Sequence, residues 1–174
     1  MTSNLLQLVL PVLALFGVVL LLKGLLGSFT GPTVSVRPMP LMTPAERKTI
    51  GYIEQILPWA RIHAQVSMGA ILAPRKGLNR SQAATVRNRF SSKRIDYVVE
   101  HRRSGRIVML IELDDRTHRP DQDARRDKMT ASAGFATLRL PAEEHPTLHS
   151  VKYHINRAFA QRPDLMPSGV AHVA

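Results

Sequence analysis

The stretch at residues 106–118, which reads RIVMLIELDDRTH, constrains the fold of this chain more than any other. It begins with an apolar run that is long enough for a strand covered on both faces. Glu112 and Asp114 lie two residues apart, so their carboxylates are expected on the same face of that strand. A carboxylate at the end of a buried strand is costly unless it is paired, protonated or bound to a metal. The stretch therefore predicts a buried strand that ends in a functional site.

A second strand is predicted directly before this one, at residues 94–101, where Asp96 interrupts an otherwise apolar pattern. A turn at residues 102–105 would join the two strands as an antiparallel hairpin. Side chains that face each other across such a pair lie close together. The hairpin therefore predicts that Asp96 lies near Glu112.

Asp96, Glu112 and Asp114 would form an all-oxygen set of the kind that Mg²⁺ uses, with water and phosphate oxygens completing the octahedron. Magnesium held in this way can activate a water for phosphodiester hydrolysis. The alternative is that Glu112 and Asp114 begin a solvated loop. In that case Asp96 pairs with Arg94 or Arg139, because perturbed carboxylates also occur in structural ion pairs.

Residues 69–95 contain no acidic residue, and they predict a loop followed by a short helix near residues 81–90. The cations of this interval would suit phosphate contacts, which give affinity but little sequence discrimination. The alternatives are a solvated face, or a face that lies against anionic lipid. The cations are Arg75, Lys76, Arg80, Arg87, Arg89, Lys93 and Arg94.

The composition of the whole chain is basic as well, since 24 Lys and Arg against 13 Asp and Glu give a formal net charge of +11. Such a balance predicts a polyanionic partner, either nucleic acid or an anionic membrane surface. The chain has no cysteine. Disulfides, thiolate zinc sites and cysteine nucleophiles are therefore excluded.

An apolar segment at residues 5–26 is interrupted only by Gln7, Pro11 and Lys23. About 20 apolar residues suffice to cross the hydrocarbon core, so the segment predicts a single transmembrane anchor. A cleaved signal peptide is the alternative, but its positively charged start and its small-residue cleavage site are missing. No Lys or Arg precedes the segment. The positive-inside rule then predicts a single-pass membrane protein whose C-terminal domain is cytoplasmic.

Helix signals and composition predict the domain boundaries. Thr43 is a candidate N-cap with Glu46 as its capping-box partner, so the folded α/β domain should begin there. The linker before it is rich in Gly, Pro and Ser. The predicted segments are an N-terminal transmembrane anchor at 1–26, a linker at 27–42, an α/β domain at 43–161 and a disordered tail at 162–174.

Four motifs occur in the order found in a known family: TPAE in the first helix, KRIDYVV in a strand, IELDDRTH in the next, and RRDK followed by AGFATLRL. They resemble domain-of-unknown-function family 2726, which is similar to very-short-patch-repair endonucleases in the PD-(D/E)xK superfamily. The resemblance covers residues 43–140. It implies a restriction-endonuclease-like mixed sheet flanked by helices. It also implies Mg²⁺-dependent cleavage of phosphodiester bonds in nucleic acid, with DNA as the expected substrate.

The resemblance also implies roles for individual residues. Asp96 and Glu112 would be metal-binding carboxylates, and Glu46 on the first helix would orient the attacking water. Asp114 occupies the position at which the simplest superfamily motif has a lysine, which leaves open whether the chain is an enzyme. His118 would replace that lysine in catalysis. The alternative is a loop histidine that is hydrogen-bonded to a neighbouring aspartate.

The resemblance to the family also implies supporting roles for further charged residues. Arg126 and Asp127, on the helix after the loop, are expected to brace the site. Independently of the resemblance, Arg139 on the strand after Gly134 would contact a phosphate or hold a buried carboxylate, and the sequence leaves both roles open. The alternative function is an inactive nuclease-like domain that binds nucleic acid, or anionic lipid, at the membrane.

Overall fold

A computed structural model describes residues 2–27, 34–114, 120–141 and 143–169. The chain separates into two compact units, Met1–Met39 and Pro40–Ala174. The first unit contains helix α1, Thr2–Gly27. The second contains all of the remaining elements.

The predicted membrane anchor is wrong. Within the ranges that the structure describes, no helix combines the length and the apolar character that crossing a membrane requires. A span needs about 20 consecutive apolar residues, and none of the described helices meets that requirement. The prediction of a transmembrane helix before the α/β domain is wrong with it, and so is that of a single-pass membrane protein. The predicted cytoplasmic placement of the C-terminal domain depended on that anchor and loses its support.

The second unit is a mixed α/β domain with a four-stranded sheet, as the sequence predicts for this part of the chain. The strands are β1 (Ala60–Ser67), β2 (Arg94–His101), β3 (Ile107–Leu113) and β4 (Thr137–Leu140), in the order β1-β2-β3-β4. Strand β2 is antiparallel to both β1 and β3, and β4 is parallel to β3. The helices are α2 (Pro44–Ile56), α3 (Met68–Ile71), α4 (Arg80–Asn88), α5 (Pro120–Ser132) and α6 (Leu148–Gln161).

The predicted hairpin of β2 and β3 is confirmed, with Tyr97 opposite Ile111. Strand β3 is covered on both faces, as its apolar run predicts. Ile111 belongs to a hydrophobic cluster that includes residues of α2 and α6. Leu110 belongs to a second cluster, against which Val86 of α4 and Met129 of α5 pack. The sheet therefore has a hydrophobic core on each side.

The ends of the domain differ in part from the prediction. Thr43 caps α2 in a capping box with Glu46, as predicted. The segment predicted to be disordered instead contains a 3₁₀-helix, Pro163–Leu165, because Leu165 is only 7 % exposed and packs in the core beside α6. Residues 28–33 of the predicted linker and 170–174 of the predicted tail lie outside the described residues.

Candidate functional site

Polar side chains from several elements meet where β2 begins and β3 ends. Asp96 lies on β2, and its Oδ2 accepts a hydrogen bond of 2.9 Å from the backbone N–H of Leu113. Gln65 lies on β1, and its Nε2 donates to Oε1 of Glu46 at 3.0 Å and to Oδ1 of Asp96 at 3.3 Å. The negative charge of Asp96 also acts on Glu112. The sheet end thus brings together three predicted site residues, Glu46, Asp96 and Glu112.

Helix α2 is fixed to the sheet beside this cluster. The Tyr97 hydroxyl donates a hydrogen bond of 2.9 Å to the backbone carbonyl of Glu46. Burial raises the pKa of Tyr97 above its ordinary value, so its hydroxyl remains a donor at neutral pH. The carboxylate of Glu46 is therefore carried by a helix turn that is tied directly to β2.

Gln65 is a site residue that sequence reasoning missed. Its φ of 54° lies in the left-handed region, although it is neither Gly nor Asn. The pairing of β1 with β2 skips it, since Ala64 faces Tyr97 and Val66 faces Ile95. Nothing in the sequence around Gln65 signals a left-handed residue, because such positions are usually marked by Gly, Asn or Asp.

Glu112 is the most deeply buried carboxylate of the cluster, with only 4 % of its surface exposed. Its Oε2 lies 3.6 Å from a terminal guanidinium nitrogen of Arg126 on α5. Its Oε1 has no hydrogen-bond partner among the described residues. Burial, together with the charge of Asp96, raises the pKa of Glu112 to about 8, although Arg126 opposes the change. The site therefore holds a buried acid whose ionised form is only partly compensated by Arg126.

The pKa of Asp96 is also raised, mainly because burial disfavours its charge. The Leu113 N–H and the Gln65 amide act in the opposite direction by donating to the carboxylate, whereas the charge of Glu46 adds to the increase. Among the described residues, Asp96 pairs with neither Arg94 nor Arg139. The proposed structural role for Asp96 in an ion pair is therefore wrong.

Asp114 belongs to a different arrangement. Its Oδ1 lies 2.6 Å from a terminal nitrogen of Arg139 on β4, and the same guanidinium donates to both carboxylate oxygens of Asp127 at 2.9 and 3.0 Å. Of the two roles left open for Arg139, the structure thus favours holding carboxylates. Within the described residues, no group of three or more His, Asp or Glu is placed to hold a metal. The predicted ligand set of Asp96, Glu112 and Asp114 therefore stays a prediction, and Asp114 is bound by Arg139.

The cations predicted to bind phosphate lie between β1 and β2, on and around α4. Arg80 and Arg87 belong to α4, whose Val86 packs against the core. Lys93 and Arg94 lead directly into the strand that carries Asp96. Among the described residues, none of the cations Arg75, Lys76, Arg80, Arg87, Arg89, Lys93 and Arg94 forms an ion pair. Except for Lys93, which is partly buried, they are exposed.

A protein-family model described as "Protein of unknown function (DUF2726)" matches residues 38–158. The chain belongs to the DUF2726 family. The match extends from the residues before α2 into α6, so it includes every residue of the cluster at the sheet end. No curated protein and no solved structure matches this DUF2726 chain.

His118 is the remaining predicted catalytic residue of this DUF2726 domain, and it lies outside the described residues. Residues 115–119, which include His118, separate Asp114 from the first residue of α5 in the sequence. Both roles proposed for His118, catalysis and loop structure, therefore stay predictions.

Proposed function

We propose that this DUF2726 protein is a Mg²⁺-dependent nuclease that cleaves phosphodiester bonds of nucleic acid, with DNA as its substrate. The observation that carries the proposal is Glu112, a buried carboxyl whose Oε1 lacks a partner among the described residues. Burial of a charged oxygen without a partner is unfavourable, so such groups are stabilised by a proton or a cation. A cation beside Asp96 and Glu112 would remove this cost.

The donor chemistry of the cluster suits Mg²⁺. Magnesium takes oxygen ligands, keeps several waters and is commonly held by one or two carboxylates together with substrate phosphates. Asp96 and Glu112 would provide the carboxylates, so a third protein ligand such as Asp114 is not required. When bound, Mg²⁺ supplies the Lewis acidity that phosphodiester hydrolysis requires.

The remaining residues of the cluster would act on the water and on the substrate. Glu46 lies within reach of the Gln65 amide that also contacts Asp96. Its carboxylate would orient the attacking water and accept its proton. The unpaired cations around α4 would hold the phosphate backbone and bring it to the start of β2. Arg126, beside Glu112, would offset negative charge that the carboxylates concentrate.

The motif resemblance to very-short-patch-repair endonucleases and the PD-(D/E)xK superfamily supports this proposal. The domain has the mixed sheet flanked by helices that this resemblance implies. Asp114 departs from the superfamily pattern, because it takes the place of the motif lysine and is paired with Arg139. That departure favours a second candidate function, in which the domain binds nucleic acid without cleaving it.

One experiment separates these two functions. The full-length protein is incubated with supercoiled plasmid DNA and Mg²⁺, and nicking is compared among wild type, Asp96→Asn and Glu112→Gln. We expect both substitutions to lower the cleavage rate at least about 100-fold, since loss of a ligand should exceed the 10–100-fold effect of a residue that supports one. Binding to the same DNA, measured without metal, should persist.

Glu100→Gln is the matched control. Glu100 lies on β2 like Asp96, but towards the other end of that strand, where its carboxylate pairs with Arg61 and His63. This variant should cleave like wild type. Wild-type protein that binds DNA but cleaves neither DNA nor RNA with Mg²⁺ or Mn²⁺ would establish the binding-only function. Equal loss of cleavage in Glu100→Gln would show that the effect is not specific to the site.

A further inference from the structure

The backbone of Gln65 has a conformation that its residue type rarely adopts. Its φ of 54° interrupts strand β1 between two residues that pair regularly with β2. In this region the side chain of an L-residue crowds its own backbone, and such conformations persist only where surrounding contacts fix them. The contacts that stabilise Gln65 in this conformation therefore indicate the function of the unusual backbone.

The carboxamide of Gln65 contacts two carboxylates on different elements. Its Nε2 lies 3.0 Å from Oε1 of Glu46 on α2 and 3.3 Å from Oδ1 of Asp96 on β2. A primary amide carries two donor hydrogens, so one nitrogen can serve both acceptors. The charges of Glu46 and Asp96 repel each other, and the amide lies where it can bind both. Hydrogen bonds to both carboxylates offset that repulsion.

We propose that Gln65 is a positioning residue that holds the carboxylates of Glu46 and Asp96 in one arrangement for the cleavage reaction. This inference rests on the proposed nuclease function. The distorted residue of β1 fixes the direction of the carboxamide, and the carboxamide fixes the two carboxylates relative to each other. Glu46 then remains beside the ligand Asp96, where it can act on a water, before any metal or substrate binds.

Two substitutions distinguish the effect of the Gln65 carboxamide from that of its strained backbone. Gln65→Gly removes the carboxamide but accepts a positive φ without strain. Gln65→Asn keeps a carboxamide and tolerates the left-handed region, but its side chain is one methylene shorter and cannot span the same two acceptors. Both variants should therefore fold, which thermal melts followed by circular dichroism would verify. A loss of function in both variants would then be due to the lost contacts of the carboxamide with Glu46 and Asp96.

In the full-length protein we expect both variants to lower kcat for plasmid nicking by about 10–100-fold, the range found for residues that support metal ligands. The KM for DNA should change by less than about 3-fold, because the cations around α4 are untouched. Mn²⁺ affinity, measured by electron paramagnetic resonance without DNA, should fall in both. Variants that cleave and bind Mn²⁺ like wild type would overturn the positioning role.

Nuclear magnetic resonance of the Gln65 side-chain amide tests the same inference without activity. Glu46→Gln and Asp96→Asn should each shift its ¹H–¹⁵N signals, whereas the exposed Gln161 amide in the same spectra should not move. Gln65 signals that respond to neither substitution would overturn the proposal, even in an active enzyme. If wild type neither cleaves nor binds Mn²⁺, the proposed function fails, and these shifts alone decide whether Gln65 holds the two carboxylates.

Discussion

At the scale of single residues, Glu112 links the site to the stability of the fold. Its pKa rises from an ordinary value of 4.5 to about 8 in the folded chain. The folded protein therefore keeps a proton on Glu112 at a pH where the unfolded chain releases it. Stability falls with rising pH wherever the folded state binds more protons. The free energy of unfolding should accordingly decrease between about pH 4.5 and pH 8, by at most about 1.4 kcal/mol for each pH unit.

Glu112→Gln should remove this dependence, because glutamine has nearly the same shape and carries no charge. We expect the variant to resemble wild type in stability near pH 5 and to exceed it near pH 8. Urea unfolding of both proteins at pH 5, 6.5 and 8, without divalent metal, measures the difference. A difference that is constant over these three pH values would show that Glu112 does not titrate in this range.

At the scale of elements, Arg139 joins three parts of the chain. It lies on β4, contacts Asp127 of α5 through two hydrogen bonds, and contacts Asp114 directly after β3. The parallel pairing places Arg139 opposite Glu112 in the register of β3 with β4. The guanidinium therefore connects α5 to the end of β3, the two elements beside Glu112. Its positive charge also stabilises the ionised form of Glu112.

Arg139→Met should destabilise the domain by about 2 kcal/mol, because it removes the guanidinium that Asp114 and Asp127 both contact. The value lies below that of a fully buried pair, since the Arg139 and Asp127 side chains are 21 % and 39 % exposed. Arg162→Met is the matched control. Arg162 makes the same two-point contact with Asp164, but on the surface, where ion pairs contribute little. Urea unfolding that shows equal effects for both substitutions would contradict a bracing role for Arg139.

The sequence predicts the elements of this region better than their side-chain contacts. The two strands and the short turn between them predict the hairpin, because a turn of that length can join only antiparallel neighbours. The pairing of Asp114 with Arg139 could not be predicted, since the two residues lie 25 positions apart in the chain. Gln65 could not be predicted either, because local propensity argues against its backbone conformation. The anchor prediction depended on the length and hydropathy of residues 5–26, and no described helix meets both requirements for crossing a membrane.

At the scale of the whole molecule, much of the excess positive charge comes from one segment that contains no acidic residue, residues 69–95. The formal net charge is +11, and residues 69–95 contribute cations without any carboxylate. Each cation that binds a phosphate releases counterions, so nucleic-acid affinity should fall steeply as the salt concentration rises. The steepness of this fall reports how many phosphates the protein neutralises.

The double substitution Arg80→Gln and Arg87→Gln should lower the slope of log affinity against log salt by about 0.9 for each phosphate of duplex DNA that the variant no longer neutralises. Fluorescence anisotropy with a labelled duplex over a series of NaCl concentrations measures this slope. Arg103→Gln is the control, because Arg103 is an exposed cation in the turn after β2, at the other end of that strand. Equal changes in slope would mean that net charge, and not the segment around α4, determines binding.

The order of elements along the chain has a consequence for biosynthesis. The hairpin of β2 and β3 brings Asp96 and Glu112 together through neighbouring residues, whereas β4 pairs with β3 only after α5 has been made. Domains generally fold as units during synthesis, and the core of this one includes Ile155 and Phe159 of α6. A growing chain that ends before β4 therefore contains both carboxylates but lacks Arg139 and the core residues of α6. We expect the candidate site to form only after α6 has been synthesised.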